Sequence, residues 1–398
     1  MTQAVNMDDA PFIDLADPLL SIRSQAIKDV RARSWFARTP YGIAVLRYDD
    51  MRHLLLHRGL RQGSHEWPAH NNVTGVFSDW WSRTILVQEG ADHARLRKLV
   101  NPAFAPSIIA AMKPEFERFA VELVDDFAAD GRCDFMADFA DPYAARVICH
   151  VLGLPLDEAD RILKLSATMG LALGLSFKDH EVRINEATMG MFAYADELVA
   201  NRRSVPGDDF MSMLIAASEG GDQLSDQELR DMILMLVFAG IDTTRNQLGL
   251  GMATFLDHPE QWELLADRPD LAPQAVEEVM RVRPTITWVT RQAIADFDYK
   301  GLTIKEGTTL HLLAEAAGTD EEVYEAGFDI AAERKRHFGF GGGMHHCLGH
   351  AIARSDMAIA FTVLPSRLKS IHAAGPGEWL PDSGNTGAVS LPITFEVR

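Results

Sequence analysis

The chain has 398 residues, of which 47% are hydrophobic, and its formal net charge is −19. Such an acidic balance argues against nucleic acid as a partner, because phosphate backbones bind basic surfaces. The longest apolar run, residues 232–241, is far shorter than the roughly 20 residues that span a bilayer, so we expect no membrane segment. The three cysteines, Cys133, Cys149 and Cys347, are an odd number and do not suggest a disulfide framework. With a polar, acidic N-terminus that is unlike a secretory signal, this predicts a cytoplasmic protein.

The predicted elements are mainly helical. A helix is expected over residues 17–33, a hairpin over 35–48 and a second helix over 49–57. Further helical patterns cover residues 93–101, 107–129, 140–152, 156–173 and 181–203, and strand-like stretches return at 285–295, 302–313 and 391–397. No period of about 20–50 residues repeats, which excludes a solenoid. We predict one domain over residues 1–398, mainly α with small β-sheets.

Residues 62–90 lack clear periodicity but are rich in aromatic side chains, among them Trp67, Phe77, Trp80 and Trp81. A long irregular segment of this kind is often a lid or a binding loop. Packing of a small satellite core explains the aromatic side chains equally well.

A long helix is expected to begin after Ser225, because Ser225 and Glu228 have the spacing of a capping box. The pattern continues to about residue 256, roughly 45 Å at 1.5 Å per residue. Its first half is apolar on nearly every face, which places the helix in the core. Asp242 and Thr243 stand at its midpoint, where buried polar groups are costly without partners. They indicate either a pocket to which protons are delivered or a kink with satisfied polar groups.

Glu278 and Arg281 lie three residues apart on a helix that begins near Pro273, so they share a face and can pair. Taken alone, such a pair is most often a surface ion pair of little energetic value. Pro284 ends the helix by Arg283.

A glycine-rich loop, residues 340–349, precedes the last helical run. Its consecutive glycines permit unusual backbone conformations and close approach to a bulky group. The loop brings Cys347 to the start of a helix, where free N–H groups stabilise a negative charge. A thiolate in this position suits the axial ligand of a heme iron. A zinc cluster of His345, His346, Cys347 and His350 is an alternative with suitable ligand types, but it leaves the glycines unexplained.

Four features occur in a fixed order: His93-x-x-x-Arg97, Ala239-Gly240-x-Asp242-Thr243, Glu278-x-x-Arg281 and the loop ending in Cys347. In this order they resemble the cytochrome P-450 superfamily, in particular the soluble bacterial monooxygenases. The resemblance covers nearly the whole chain, and the pattern Phe-Gly-x-Gly-x-His-x-Cys-x-Gly over residues 340–349 is highly specific. It implies the cytochrome P-450 fold, triangular in outline, with the long central helix over the heme.

The resemblance also implies roles. Cys347 matches the proximal thiolate ligand of the heme iron, with Phe340, Gly341 and Gly349 beside it. Asp242 and Thr243 match the acid–alcohol pair that delivers protons to dioxygen, with Ala239 against the heme.

The remaining motif residues match heme-retaining positions. The residues that match ligands of the heme propionates are His93, Arg97, Arg291 and His345. Cations suit this role, because propionates are carboxylates that need charge-assisted hydrogen bonds. Glu278 and Arg281 match a structural ion pair behind the loop.

The sequence departs from the family pattern at Ala332, where an arginine often completes a triad with Glu278 and Arg281. Arg334, two residues away, is a possible replacement, and the alternative is that the triad is reduced to a pair.

The implied activity is that of a heme-thiolate monooxygenase with heme b, which activates O2 and inserts one oxygen atom, by hydroxylation or epoxidation, into an apolar small molecule. A non-catalytic member of the fold is an alternative, but it would lack Asp242, Thr243 or Cys347. A peroxide-driven peroxygenase is another, and the intact acid–alcohol pair argues against it.

We expect a monomer with no fused reductase domain, which takes electrons from NAD(P)H through a reductase and a small acidic ferredoxin. The ferredoxin is expected to dock on the basic cluster at residues 334–337 with Lys98 and Arg354. A solvated surface turn is the simpler interpretation of the cluster.

The substrate pocket of the family draws on the irregular segment, the long-helix midpoint, the strand after Pro284 and the C-terminal turn. Here these regions are almost wholly apolar. The pocket residues expected are Trp67, Phe77, Trp80, Trp81, Leu236, Ile286, Trp288 and Val389. They indicate an apolar substrate, and a terpene, an aromatic compound, a steroid or a polyketide-like molecule would fit equally well.

Overall fold

The structure, a computed structural model, describes residues 7–175, 177–207, 209–219 and 224–398. The first six residues of the acidic N-terminal stretch therefore lie outside the described residues. The helices are α1 (Gln25–Arg33), α2 (Tyr48–Leu54), α3 (Trp67–His70), α4 (Val76–Trp81), α5 (Gly90–Val100), α6 (Pro106–Phe127), α7 (Asp141–Leu152), α8 (Ala159–Gly170), α9 (Phe177–Ser204), α10 (Phe210–Glu219), α11 (Asp226–Asp257), α12 (Pro259–Asp267), α13 (Ala272–Val282), α14 (Ala314–Gly318) and α15 (His350–Arg367).

The strands form small sheets. They are β1 (Phe36–Thr39), β2 (Gly42–Val45), β3 (Leu60–Gln62), β4 (Arg132–Asp134), β5 (Trp288–Ala293), β6 (Phe297–Tyr299), β7 (Leu302–Ile304), β8 (Thr309–Leu313), β9 (Leu368–Ala373), β10 (Glu378–Trp379), β11 (Ala388–Ser390) and β12 (Pro392–Val397). The largest sheet has the order β1-β2-β8-β5-β3, with β2 and β8 parallel. The others pair β10 with β11, β6 with β7, and β12 with both β4 and β9. The prediction of a mainly helical fold with small sheets is confirmed.

Most predicted elements lie where the periodicity placed them, with shifted ends. The predicted hairpin is β1–β2, in which Phe36 pairs with Val45. The first helix is shorter than expected and begins at Gln25, because residues 15–24 form turns and irregular backbone. The irregular segment 62–90 contains the short helices α3 and α4.

Helix α11 runs through the core. Ser225 and Glu228 form the predicted capping box, in which the Glu228 N–H donates to Ser225 Oγ at 3.2 Å and the Ser225 N–H donates to Glu228 Oε2 at 2.8 Å. The helix packs against α7, α8 and α9, and it also contacts α13 and α15. Because nearly all its residues from Ile241 to Phe255 are buried, a polar group there must find a partner inside the protein.

Helices α13 and α15 pack against each other, and α15 also packs along α6. The glycine-rich loop leads directly into α15, so this helix group supports the loop from behind. A second hydrophobic cluster lies on the largest sheet, where the side chains of β1, β2 and β8 pack against α2 and α14.

Among the described residues, no helix is both long enough and apolar enough to cross a lipid bilayer.

Candidate active site

The glycine-rich loop folds around Cys347. Gly341 has φ +63° and Gly343 has φ +71°, values in the left-handed region that favours glycine. The Cys347 N–H donates to the Phe340 carbonyl at 3.0 Å, and the Gly341 N–H donates to the Phe338 carbonyl at 2.7 Å. These bonds fix the backbone on both sides of the thiol, so the loop presents the sulfur in a defined position.

Cys347 precedes α15 by three residues and does not lie in its first turn. Burial raises the pKa of the Cys347 thiol, and hydrogen bonds from the Gly349 and His350 N–H groups, with the charges of Arg97 and Arg354, oppose that rise. N–H groups at the start of a helix therefore do bond the sulfur, as expected. They belong to Gly349, just before α15, and to His350, its first residue.

A cavity with a volume of about 500 Å³ lies against this loop. Cys347 and Gly349 line it together with Ala239 and Thr243 of α11. An added Cβ on Gly349 would meet no atom within 4 Å, so this part of the wall presents backbone alone. The space at Gly349 leaves room for a flat group next to the sulfur.

The four side chains expected to bind the propionates all line the same cavity: His93, Arg97, Arg291 and His345. The rings of His93 and His345 are 4.3 Å apart, and His345 Nε2 lies 3.1 Å from Glu89 Oε1. Arg97 donates to the His346 carbonyl at 3.1 Å. The sequence predicted that these residues meet at one place, and the fold brings them together.

Arg291 shows whether this cluster fits a carboxylate-bearing cofactor. Its side chain is 4% exposed, and it donates to the carbonyls of Thr290 at 3.0 Å and Gly342 at 3.4 Å. Within the described residues no carboxylate lies within 4 Å of its guanidinium. Burial lowers its pKa to about 10, and the charge of Glu89 opposes that shift. A buried cation with no carboxylate within 4 Å among the described residues fits a heme propionate at this cavity wall, because a charged group needs an opposite charge when water is removed.

Asp242 is buried in α11, with 2% of its surface exposed, and it lines the cavity. Its Oδ2 accepts from Asn385 Nδ2 at 2.6 Å, and its Oδ1 accepts from Arg245 Nε at 3.3 Å. Burial raises the pKa of Asp242, and Arg245 and Asn385 act against that rise. Arg245 also bonds Asp141 on α7 at 3.0 Å, so the carboxylate belongs to a buried polar network.

Thr243 is half-buried and faces the cavity. Its hydroxyl donates to the Ala239 carbonyl at 2.6 Å, one turn earlier in α11. A hydroxyl bonded in this way competes for the helical carbonyl, as the sequence interpretation expected, and its lone pairs remain able to accept a further hydrogen bond.

Glu278 and Arg281 form a buried, bidentate ion pair, with nitrogen–oxygen distances of 2.7 and 2.6 Å. Arg281 also donates to the Gly318 and Gly327 carbonyls. Arg334 Nη2 lies 3.5 Å from Glu278 Oε1, so the structure places Arg334 in the position that Ala332 leaves without a charge.

The predicted substrate residues divide into two groups. Five of them line the cavity: Trp67, Trp81, Leu236, Ile286 and Trp288. The placement of Phe77, Trp80 and Val389 was wrong. Phe77 and Trp80 are fully buried and pack edge-to-face at 5.4 Å in the aromatic core. Val389 is 49% exposed, because alternation along β11 turns Ala388 inward and Val389 outward.

The sequence interpretation missed the partners of the site. Asn385, Arg245 and Glu89 each contact a predicted site residue, and no motif marked them. Gly170 also belongs to the surroundings of the site, because an added Cβ there would lie 2.6 Å from Asp242 Oδ1. A single sequence does not show that contact, since Gly170 and Asp242 are on different helices.

The zinc interpretation has no geometric support: the described part of the chain contains no group of three or more potential ligands that could hold a metal ion. The basic cluster is also smaller than expected. Lys335 and Arg336 are exposed, whereas His337 is buried beside Glu277 at 3.1 Å and Arg334 turns inward to Glu278. Arg354 is paired with Glu277 as well.

Comparisons with known proteins agree on one family. The sequence model described as Cytochrome P450 matches residues 33–394. Luteothin monooxygenase of Streptomyces thioluteus is 37% identical over 393 residues, covering 97% of this chain and 96% of the relative. The polyketide biosynthesis cytochrome P450 PksS of Bacillus subtilis (strain 168) is 34% identical over 323 residues, covering 80% and 79%.

The fold agrees as well. The crystal structure of CalO2 superposes with a TM-score of 0.87 at 27% identity, covering 99% of both chains. The match of sequence, fold and cavity leads to one conclusion: the chain belongs to the cytochrome P450 family and is a heme-dependent monooxygenase.

Proposed function

We propose that the chain holds heme b through Cys347 and inserts one oxygen atom from O2 into an apolar organic molecule, by hydroxylation or epoxidation. One observation carries this proposal: a single cavity is lined by Cys347, by the buried Arg291 and by the pair Asp242 and Thr243. When bound, heme supplies the redox chemistry that activates dioxygen. All further contributions come from the residues of the chain.

Cys347 provides the thiolate ligand in this proposal. The N–H groups of Gly349 and His350 stabilise its negative charge, and they also moderate how strongly the sulfur donates electrons. His93, Arg97, Arg291 and His345 hold the propionates. This assignment is supported by Arg291, because burial lowers its pKa more than the charge of Glu89 raises it.

Asp242 and Thr243 move protons into the cavity. Asp242 is the proton-carrying group at the cavity wall, Arg245 and Asn385 hold its carboxylate by hydrogen bonds, and Thr243 accepts and donates hydrogen bonds beside it. The low exposure of Asp242 excludes bulk water from this route, so that proton transfer depends on side chains that the fold positions.

The substrate binds against the apolar part of the cavity wall. Trp81, Leu236, Ile286 and Trp288 provide apolar surface, while Tyr41 adds a hydroxyl. The name of the relative PksS places that protein in polyketide biosynthesis, and it supports a polyketide-like compound as a substrate of this chain.

Electrons come from NAD(P)H through a separate reductase and a small acidic ferredoxin. Lys335 and Arg336 are the exposed cations that remain of the predicted docking cluster. Lys98 is also exposed and follows Arg97, which bonds the His346 carbonyl, so it lies beside the loop that carries Cys347. We place this monomeric enzyme in the cytoplasm, which agrees with its free thiols.

Absorption spectroscopy tests the proposal. The purified protein, reduced and exposed to carbon monoxide, is expected to show the strongly red-shifted Soret band of a thiolate-ligated heme. Cys347→Ser should lose that band while Cys149→Ser, at a buried cysteine in α7, retains it. The proposal is contradicted if the folded protein binds no heme, or if the red-shifted band persists in Cys347→Ser. Turnover with peroxide and without electron donors would favour the peroxygenase alternative.

A further inference from the structure

The C-terminal turn, residues 382–386, lies between the cavity and helix α11. Ser383 and Gly384 line the cavity. Asp382, Ser383, Asn385 and Thr386 are buried although all are polar, so the turn depends on internal hydrogen bonds. Thr287 Oγ1 donates to the Ser383 carbonyl, and the Thr386 N–H donates to the Thr285 carbonyl at 2.9 Å.

Asn385 connects this turn to the proton-delivering carboxylate. Its Nδ2 donates to Asp242 Oδ2 at 2.6 Å, across 143 residues of sequence. Its Oδ1 lies 2.9 Å from the hydroxyl of Thr285, whose single proton is shared with the Thr386 carbonyl at 2.7 Å. Thr285 lines the cavity. One amide therefore touches a cavity-lining residue on one side and the buried carboxylate on the other.

The bond from Asn385 is the shortest that Asp242 makes to a described side chain. Arg245 Nε lies 3.3 Å from Oδ1, and Asn246 Nδ2 lies 3.5 Å from Oδ2. Both of these donors lie on α11 itself, so Asn385 is the contact in this set that comes from another element. A partner on a separate element fixes the rotation of the carboxylate relative to the cavity.

The backbone just after the turn lies against α11. An added Cβ on Gly387 would lie 2.4 Å from Asn246 Oδ1, which shows that backbone and helix are in direct contact there. Arg23 also bonds Asp382 at 2.8 Å and holds the other end of the turn. The position of Asn385 is therefore set by packing and by ion pairing, independently of its bond to Asp242.

We propose that Asn385 is a positioning residue that holds the Asp242 carboxylate for proton delivery, and that it links this carboxylate to the cavity-lining turn. The inference rests on the proposed role of Asp242.

The test compares Asn385→Leu, Asp242→Asn and the double variant. Leucine has the same branched side-chain outline as asparagine and removes the amide. Thr386→Val is the matched control, because Thr386 is buried in the same turn and bonds Leu380 and Asp382 but not Asp242. Holoenzyme is supplied with electrons by NADPH and a surrogate ferredoxin and reductase, without added substrate. The readouts are the solvent deuterium isotope effect on NADPH oxidation and the peroxide released per NADPH.

If Asn385 positions Asp242, Asn385→Leu changes the rate of NADPH oxidation and its solvent isotope effect in the same direction as Asp242→Asn. The expected change in the rate is about tenfold, which corresponds to the loss of one charge-assisted hydrogen bond. The double variant then shows little additional effect, since both changes remove one interaction. Thr386→Val resembles the wild type in both readouts, whatever it does to the thermal unfolding midpoint.

Three outcomes are distinguishable. Wild-type values for Asn385→Leu with altered values for Asp242→Asn overturn the inference and leave the proposed function standing. Equal effects of Asn385→Leu and Thr386→Val also overturn it, because they show a general disturbance of the turn. Wild-type values for Asp242→Asn refute the proposed proton-delivering role of Asp242 and, with it, the inference.

Discussion

Arg334 lies 3.5 Å from Glu278, with its guanidinium directed into the protein, and it joins the buried ion pair of Glu278 with Arg281. The cytochrome P450 pattern leads one to expect this arginine two residues earlier, at Ala332. The Ala332 carbonyl instead accepts from Gln274 of α13 at 3.1 Å, which secures the same backbone segment without a charge. Glu278 therefore has two arginine partners behind the Cys347 loop, and the second is Arg334 instead of a residue at position 332.

Arg334→Ala should lower the free energy of unfolding by about 1–2 kcal/mol, between the values for exposed and for fully buried ion pairs. Glu278→Gln should cost about 3–5 kcal/mol, because it leaves Arg281 buried without its anion. Chemical denaturation of the heme-bound protein measures both. Lys335→Ala is the control, since its side chain is exposed. Equal stability of Arg334→Ala and Lys335→Ala would mean that Arg334 does not complete the triad.

The sequence predicted those features that are local in the chain. The capping box at Ser225 needs four consecutive residues, and the glycine-rich loop around Cys347 needs ten, so each was visible without a structure. The Asp242–Asn385 contact spans 143 residues and follows no spacing rule. Phe77 and Trp81 were indistinguishable as aromatic residues of one irregular segment, because the short helix α4 decides which of them faces the cavity.

Arg291→Leu should weaken heme binding by at least about tenfold, because it removes the charge-assisted hydrogen bond that we propose between Arg291 and a propionate. The same variant should leave the heme-free protein equally stable or more stable, since the buried guanidinium lacks a carboxylate partner among the described residues. Heme transfer to an acceptor globin measures the first effect, and denaturation of the heme-free protein measures the second. Arg61→Leu on the neighbouring strand β3, where the arginine is exposed, serves as the control. A stable heme complex of Arg291→Leu would contradict the assignment.

Ile286→Ala and Phe77→Ala should separate binding from stability. Ile286 is half-buried at the cavity wall, and its truncation should alter the affinity for apolar compounds with a stability loss of about 1 kcal/mol. Phe77 is fully buried away from the cavity, and its truncation should cost about 3–5 kcal/mol. Titrations of a compound library, followed through the spin-state change of the heme, measure affinity, and thermal unfolding measures stability. An altered compound preference for Phe77→Ala at temperatures where it is folded would reverse the assignment.

Charge reversal at Lys335 and Arg336 should slow reduction of the heme by an acidic ferredoxin, because both side chains are exposed beside the loop of Cys347. The rate should fall by about tenfold or more at low ionic strength and approach the wild-type rate at high salt, since screening removes the repulsion. Stopped-flow reduction measures the rate, and the affinity for apolar compounds should stay unchanged. The control reverses Lys28 and Arg33, exposed cations of α1. An unchanged rate at low salt would exclude these residues from the docking surface.

Glu315 should make stability depend on pH near neutrality. It is buried beside Arg23, which bonds its Oε2 at 3.1 Å, and Arg23 also bonds Asp382 of the C-terminal turn. Burial raises the pKa of Glu315 to about 7, against the opposing effect of Arg23, and Asp382 raises it further. Because the folded-state pKa lies above the unfolded value of 4.5, the folded protein binds the proton more tightly, and this contribution is complete below about pH 4.5.

The contribution of Glu315 is lost as pH rises from about 4.5 through 7, and the loss has an upper limit of about 3 kcal/mol. Wild type should therefore lose stability relative to Glu315→Gln over this range, because glutamine does not titrate. Denaturant unfolding at half-unit steps between pH 5 and about 8 measures the difference. Glu306→Gln is the matched control, since Glu306 is exposed. A wild-type profile parallel to that of Glu315→Gln would show that the carboxyl stays ionised, with Arg23 outweighing the burial.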